Sequence, residues 1–255
     1  MQSWLRGVLP FLCLIILAGI TKGSQTDRTE VLVVSSLHSA HRDHATFDYD
    51  VLFSVVRDFD PDFVGLEIRP EDIGMGEKYL SSNYPREMVE LARRYQGRAF
   101  GFDWLGHEIT GAPIPESYFK DLHVTKLSSE LAENEAMMAK KPEQIAQLEQ
   151  EQADIIATAT PASLADGRYG ALCRQIDELE QSWLAGSRYE PIVAFARQRD
   201  EEIARNLIRF IENHPGSRIV AVLGADHRTF AVEAVLDHFA GSKVVKGTSK
   251  GDGAN

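Results

Sequence analysis

Two hydrophobic patterns alternate along the chain. Val31-Leu32-Val33-Val34 and Phe63-Val64-Gly65-Leu66 are short apolar runs with no polar alternation, the pattern of strands buried on both faces. Residues 98–102 predict a third strand and residues 218–223 a last one. Between them the period becomes helical. Tyr49, Leu52, Val55, Val56 and Phe59 share one face of a helix over 48–59, with Asp48 as N-cap and Asp60-Pro61-Asp62 as its stop. A second helix spans 84–95, with Pro85 in its first turn and Gly97 beyond its end. Residues 128–159 are rich in Glu, Gln, Ala and Met and are interrupted by Pro142; helices over 168–184, 189–212 and 229–239 follow. Strands alternating with helices predict an α/β fold with a largely parallel central sheet flanked by helices. The block 116–190 is a helical insertion between the third and last strands. Additional packing is its first reading; a lid or a partner surface is the other. There is no internal repeat.

The two ends read differently from the middle. Residues 1–6 carry one positive charge and no acid, residues 8–20 are apolar apart from Pro10, and Thr21-Lys22-Gly23-Ser24 is small and polar. That is the order of a secretory signal, and the apolar run is shorter than the roughly 20 residues of a membrane span. The expectation is a signal peptide over 1–24, cleaved near Gly23 or Ser24, a single α/β domain over 25–245 and a frayed tail over 246–255. The setting is then secreted or periplasmic, with membrane attachment only if the signal stays uncleaved. Cleavage takes Cys13 away and leaves Cys173 as the one thiol, beside the helical stripe Leu172, Ile176, Leu179 and Trp183. It reads as a buried small hydrophobe.

Composition narrows the function. The 255 residues include 27 Lys+Arg and 38 Asp+Glu, a formal charge of −11, with no dense basic run. That argues against a nucleic-acid binder and against a polybasic lipid-binding surface. Two cysteines exclude a disulfide framework and a Cys-rich zinc site.

Ligands of open parallel sheets bind beyond the carboxyl ends of the strands. The first strand runs into His38, with His41, Arg42, Asp43 and His44 behind it. The second runs into Glu67 and Arg69, the third into Asp103, Trp104 and His107, the last into Asp226, His227 and Arg228. Parallel strands would gather these on one rim. Two imidazoles and a carboxylate can hold a divalent metal with a position open for water, lowering the pKa of that water to about 7. Without a metal the same groups serve as general base and acid. Arg69 or Arg228 would hold an oxyanion or a substrate carboxylate. The plainer reading of Glu67 is pairing with Arg69 or a helix cap, yet a carboxylate within Val-Gly-Leu-Glu-Ile is costly to bury without a partner. His38 or His227 alone would be an ordinary loop histidine; their matching positions after two strands favour a site. His41 and His44 are expected to be solvated. His107 is evenly balanced, and His123, His214 and His238 carry no signal. Trp104 suits a core or rim aromatic as well as a substrate platform.

Ser35-Ser36-Leu37-His38, the helix from Tyr49 and the run Pro61-Asp62-Phe63-Val64-Gly65-Leu66-Glu67-Ile68-Arg69 resemble the TraB/PrgY/Tiki superfamily. So do Arg199-Asp200-Glu201-Glu202-Ile203-Ala204 and the strand leading to Gly224-Ala225-Asp226-His227. The resemblance covers residues 30–70 and 197–240, and departs at Ser35, where the family has Gly. It implies that His38, Glu67 and His227 form the core of the site, with Arg69 and the Arg199/Asp200 pair in support. Tiki-like members imply a metal-dependent protease, erythromycin-esterase-like members a His/Glu site acting on an ester or lactone without an obvious metal, and ChaN-like members haem binding. The expectation is an exported, metal-dependent hydrolase cleaving a peptide or ester bond in a peptide or small-molecule substrate. His38, Glu67 and His227 are its metal ligands and catalytic groups, and Arg69 orients a carbonyl or carboxylate. The alternatives are a non-enzymatic haem-, metal- or peptide-binding protein and a metal-free esterase.

Overall fold

The apolar runs pair with one another as parallel strands. The computed structural model describes residues 28–241 and 244–246, so the signal expected over 1–24 and the tail beyond residue 246 lie outside the described residues. The strands are β1 (Thr29–Ser36), β2 (Phe63–Leu66), β3 (Ala99–Gly101), β4 (Arg218–Gly224) and β5 (Val244–Lys246). Every pairing is parallel, in the order β3-β2-β4-β1-β5. The chain goes from β1 to β2, on to β3, and returns to insert β4 between β1 and β2. β4 pairs with β1 from Glu30↔Arg218 to Ser36↔Gly224 and with β2 from Phe63↔Ile219 to Leu66↔Val222. Such reversals of strand order are where open sheets bind ligands.

Alternate residues of the strands feed two cores. Leu32, Val34, Val64, Leu66, Val220 and Val222 face one side. There they meet α1 (Tyr49–Phe59), and α3 (Arg86–Arg94), which follows α2 (Glu77–Asn83). Val31, Val33, Phe100, Ile219, Ala221 and Leu223 face the other. Between β3 and β4 come α4 (Tyr118–Asp121), α5 (His123–Glu133), α6 (Glu135–Met138), α7 (Glu143–Ala157), α8 (Pro161–Ala165), α9 (Arg168–Leu184) and α10 (Glu190–Glu212). α10, through Ile203, Leu207 and Ile211, and α11 (Ala225–His238), through Ala231 and Val235, cover the second face. The insertion has its own small core of Leu127, Leu131, Leu184, Tyr189 and Val193.

Asp48 caps α1 as expected, its side chain accepting from Val51 N–H at 2.9 Å, and α1 ends at Asp60 in the left-handed region (φ 55°). Three differences matter. α2 is an unexpected helix in the glycine-bearing stretch after β2. α11 begins at Ala225 rather than 229, so His227 lies in its first turn. β5 is a further strand after the one expected to be last and includes Lys246, which was assigned to the tail, so the insertion lies between the third and fourth strands. Among the described residues no helix is long and apolar enough to cross a membrane.

At Gly101, β3 passes close against the chain leaving β2. A Cβ there would fall 2.6 Å from the Arg69 carbonyl oxygen and closer still to that of Ile68. Both obstacles are backbone and cannot rotate away. Gly101→Ala is expected to destabilise the protein by at least about 1–3 kcal/mol, the usual cost of overpacking. A urea midpoint equal to that of the unmodified chain would contradict this packing.

Candidate functional site

The parallel strands deliver their carboxyl ends to one rim, and Glu67 stands at its centre. Glu67 directly follows β2 and is only 6% exposed. Its Oε1 accepts from Arg199 Nη2 at 2.7 Å and its Oε2 from the Gly224 N–H at 2.5 Å. His38 Nε2 lies 3.8 Å from Oε2 and His227 Nε2 3.9 Å from Oε1. His38, Glu67 and His227, distant in sequence, are therefore together. Gly224 makes this possible: a Cβ on it would sit 2.8 Å from His38 Nε2 and 3.4 Å from Glu67 Oε2. Its N–H also belongs to the start of α11, whose dipole favours an anion.

His38 is held in an unusual conformation. Its φ of 50° is left-handed, uncommon for a residue with a side chain and often found at functional sites. Ser36 Oγ accepts its N–H at 3.0 Å, and the Tyr49 hydroxyl donates to its carbonyl at 3.2 Å. Its Nδ1 is 2.9 Å from Oε1 of Glu87, a fully buried residue of α3, and Ser36 Oγ donates to the same oxygen at 2.7 Å. The carboxylate places the imidazole proton on Nδ1 and leaves the Nε2 lone pair facing the site. Glu87 Oε2 is buried without a hydrogen-bond partner.

His41, expected to be solvated, is instead buried. Its Nε2 accepts from Leu37 N–H at 2.9 Å and its Nδ1 donates to Phe47 O at 2.6 Å. The ring replaces missing backbone partners in the turn that carries His38. His44 is half-buried and ties that turn to the insertion through Ile156 O at 2.7 Å.

A second histidine arm comes from α10 and α11. Arg199 binds Asp103 through Nε at 2.9 Å and Nη2 at 3.2 Å. Its Nη1 lies 3.2 Å from His227 Nε2, and His227 Nδ1 lies 2.6 Å from Asp200 Oδ1. The Asp200 carboxylate holds a ring proton on Nδ1, and Nε2 faces the guanidinium. Each catalytic candidate imidazole thus has a carboxylate behind it, Glu87 for His38 and Asp200 for His227.

Electrostatics follow from these contacts. Burial would raise the Glu67 pKa, but Arg199, then His227, His38 and the Gly224 N–H outweigh it and hold the carboxylate below its ordinary range. Burial drives Asp103 upward against the pull of Arg199. Burial would lower His38, yet the bond to Glu87 and the charge of Glu67 raise it. His227 is likewise raised, by Asp200 and Glu67, against burial and Arg199.

The two other arginines serve the scaffold. Arg69 is 2% exposed. Its Nε donates to Asp72 at 2.8 Å, Nη1 to Ile109 O at 2.8 Å and toward Glu71 at 3.2 Å, and Nη2 to Ala112 O at 2.8 Å and Tyr79 OH at 3.5 Å. With its N–H groups so engaged, it anchors the segment after β2 to residues 109–112 and has no free donor for a carbonyl or carboxylate. Arg228 Nε donates to Val33 O at 3.1 Å, on the stretch of β1 beyond its pairing with β5. Arg199 holds the place expected of Arg69.

The expected metal ligands meet a specific obstacle. Arg199 already engages Glu67 Oε1 and His227 Nε2, so a divalent ion on those atoms would contact a guanidinium, and like charges repel strongly at that range. Among the described residues no group of three His, Cys, Asp or Glu side chains is arranged to hold a metal ion. The donor set does not fit a resident cation unless Arg199 is displaced, and His227 Nε2 is no freer for haem iron.

Glu87 is the residue that sequence reasoning missed. The available signal was a carboxylate on the apolar face of α3, three residues after Tyr84 and four before Leu91.

The raised pKa of His38 stabilises the fold fully below about pH 6.5, the ordinary imidazole value, and this contribution is lost as pH rises through the folded value. The lowered pKa of Glu67 acts oppositely, its contribution vanishing as pH falls through the folded value. Glu87→Gln is expected to lower the His38 pKa, measured by NMR titration of its ring protons. An unmoved titration would show that Glu87 does not control the ring.

Compared with family models, curated proteins and solved structures, the chain matches none.

Proposed function

We propose that the chain is a hydrolase of ester or peptide bonds that works by metal-free general acid–base chemistry. The observation that carries this reading is Arg199. Its guanidinium lies 2.7 Å from Glu67 and 3.2 Å from His227, supplying within the chain a fixed positive charge of the kind a metal would supply. The resemblance to the TraB/PrgY/Tiki superfamily supports the hydrolase class, and its erythromycin-esterase-like branch fits the absence of a need for a metal. The signal-like residues 1–24 support an exported setting, secreted or periplasmic.

His38 Nε2 takes a proton from water, and the water oxygen attacks the carbonyl carbon. The carbonyl π pair moves to oxygen, and the resulting oxyanion is met by the second N–H of Arg199 Nη1, the one guanidinium hydrogen that Asp103, Glu67 and His227 leave over. When the tetrahedral intermediate collapses, the bond to the leaving oxygen or nitrogen breaks, and His38 returns the proton to that atom. Water is thus divided between acid and alcohol or amine, and the site is restored. Glu87 holds the ring tautomer and favours the transient imidazolium. Glu67 and Asp103 hold Arg199, and the His227–Asp200 pair takes up one N–H of its Nη1.

Hydrolysis of a panel of nitrophenyl esters and peptides is expected to survive chelator and to increase with pH as His38 deprotonates. His38→Ala should reduce kcat/KM by about 10²–10⁴-fold, the usual worth of general acid–base catalysis. Chelator-sensitive activity restored by a divalent metal would overturn the metal-free mechanism. No hydrolysis of either bond class by folded protein would overturn the hydrolase.

Removal of Arg199 tests its role separately. Arg199→Ala frees Glu67 Oε1 and His227 Nε2 beside His38 and should gain stoichiometric zinc binding in calorimetry, whereas the unmodified chain should bind none. Stoichiometric zinc on the unmodified chain, lost in His38→Ala, would restore a metal-dependent site.

A further inference from the structure

A cavity of about 600 Å³ is lined on one side by Trp104 and Gln198, the chain neighbours of Asp103 and Arg199. Trp104, Tyr118, Leu122 and Phe195 give it an apolar wall, and its volume is that of a small-molecule site. Two stretches of chain connect it to the chemistry. Trp104 follows Asp103 and Gln198 precedes Arg199, and Asp103 and Arg199 are joined at 2.9 Å. This ion pair, part of the site around Glu67, is thus one residue along the chain from the cavity wall on each side. Trp104 and Phe195 lie with ring centroids 5.4 Å apart, and both are only half-buried. Pro191, Ala194, Phe195 and Gln198 line the cavity from one face of α10.

Its charge is one-sided. Glu108 and Asp121 line it, beside the imidazoles of His107 and His123, with no lysine or arginine among the lining residues. The Tyr118 hydroxyl donates to Glu108 at 2.9 Å, and Asp121 pairs with Lys126 at 3.3 Å. Aromatic faces attract cations, and the carboxylates add to that preference. Across the boundary, Arg199 attracts a carbonyl oxygen and its developing negative charge. The two neighbouring regions thus have opposite electrostatic demands.

We infer that this cavity is the specificity subsite for a positively charged arylalkyl group, such as an arylalkylamine or arylalkylammonium, carried by the molecule cleaved at the adjacent rim. The inference rests on the hydrolase reading for the link to cleavage, and on the cavity alone for the ligand class. The cationic group sits against Trp104 and Phe195 while the scissile carbonyl lies toward Arg199.

Calorimetry on the full chain with phenethylamine, phenethyl alcohol and 3-phenylpropanoate tests the ligand class without requiring turnover. The amine is expected to bind at least tenfold more tightly than the carboxylate, with the alcohol between them. Ala194→Trp, at an exposed position on the cavity wall, should fill the space and abolish amine binding, and His38→Ala should retain it. Equal affinities, or amine binding unchanged in Ala194→Trp, would overturn the subsite. In parallel, esters bearing a cationic arylalkyl group should be hydrolysed with at least tenfold higher kcat/KM than anionic counterparts, and Ala194→Trp should erase that difference. Hydrolysis without charge preference would overturn the subsite and leave the hydrolase standing. Cavity-dependent amine binding with no hydrolysis of any ester would support the ligand class and overturn the hydrolase.

Discussion

The site depends on the burial of one carboxylate. Glu67 leaves β2 at the middle of the sheet and is 6% exposed, and an uncompensated charge at such a place costs several kcal/mol or more. Its two oxygens are satisfied by a backbone N–H and a guanidinium, and each solution constrains another part of the fold. The N–H requires the end of β4 to pass within 2.5 Å of Glu67, which requires β4 between β1 and β2 and a residue without a side chain at 224. The guanidinium requires α10 to cross the rim at Arg199. Arg199 is itself largely buried and requires Asp103, at the end of β3. A single buried charge therefore couples β2, β3, β4 and α10.

The charge pattern sets what the site can do. Glu67, Glu87, Asp103 and Asp200 surround one guanidinium and two imidazoles. Arg199 remains a cation throughout the physiological range, so the positive charge at the centre is fixed. A guanidinium can stabilise an oxyanion but does not ionise water as a bound metal does. In the proposed hydrolysis the burden of generating the nucleophile then falls on an imidazole. Both rings have raised pKa values, but only the Nε2 of His38 faces away from a hydrogen-bond donor. His227 uses its Nε2 to accept from Arg199. In the proposed mechanism this asymmetry assigns proton transfer to His38 and support to His227, although both follow a parallel strand and both are backed by a carboxylate.

The rim was legible in the sequence because buried parallel strands write themselves as continuous apolar runs. The ends of those runs located His38, Glu67 and His227. The arginine was not legible from position alone. Arg69 lies two residues from Glu67, but the chain turns directly after β2 and carries its side chain to Asp72, Ile109 and Ala112. Arg199 lies 132 positions from Glu67 and reaches it through the crossing of α10, which no local pattern describes; only its motif resemblance marked it, as a supporting residue. The start of α11 was hidden for a local reason: Gly224 offers no capping side chain. Its glycine answers to the crowding of His38 and Glu67. His41 misled for the opposite reason, since a polar loop sequence conceals a ring used internally to satisfy the backbone.

The insertion is more than added bulk. α9 packs along α11, and a Cβ at Gly170 would fall 2.5 Å from Thr229 Oγ1, so the two helices meet at a glycine. The Tyr169 hydroxyl donates to Asp226 at 2.5 Å, and Arg174 reaches Thr229 at 3.0 Å. Asp226 and Thr229 bracket His227 in the first turns of α11. Helix ends otherwise fray easily because their terminal groups lack partners within the helix. The insertion secures this end from outside, while Asp200 secures the ring itself. It also contributes Tyr118 and Leu122 to the cavity beside the rim. What the block packs against is the helix that carries the second imidazole, so its packing and its effect on the site are the same set of contacts.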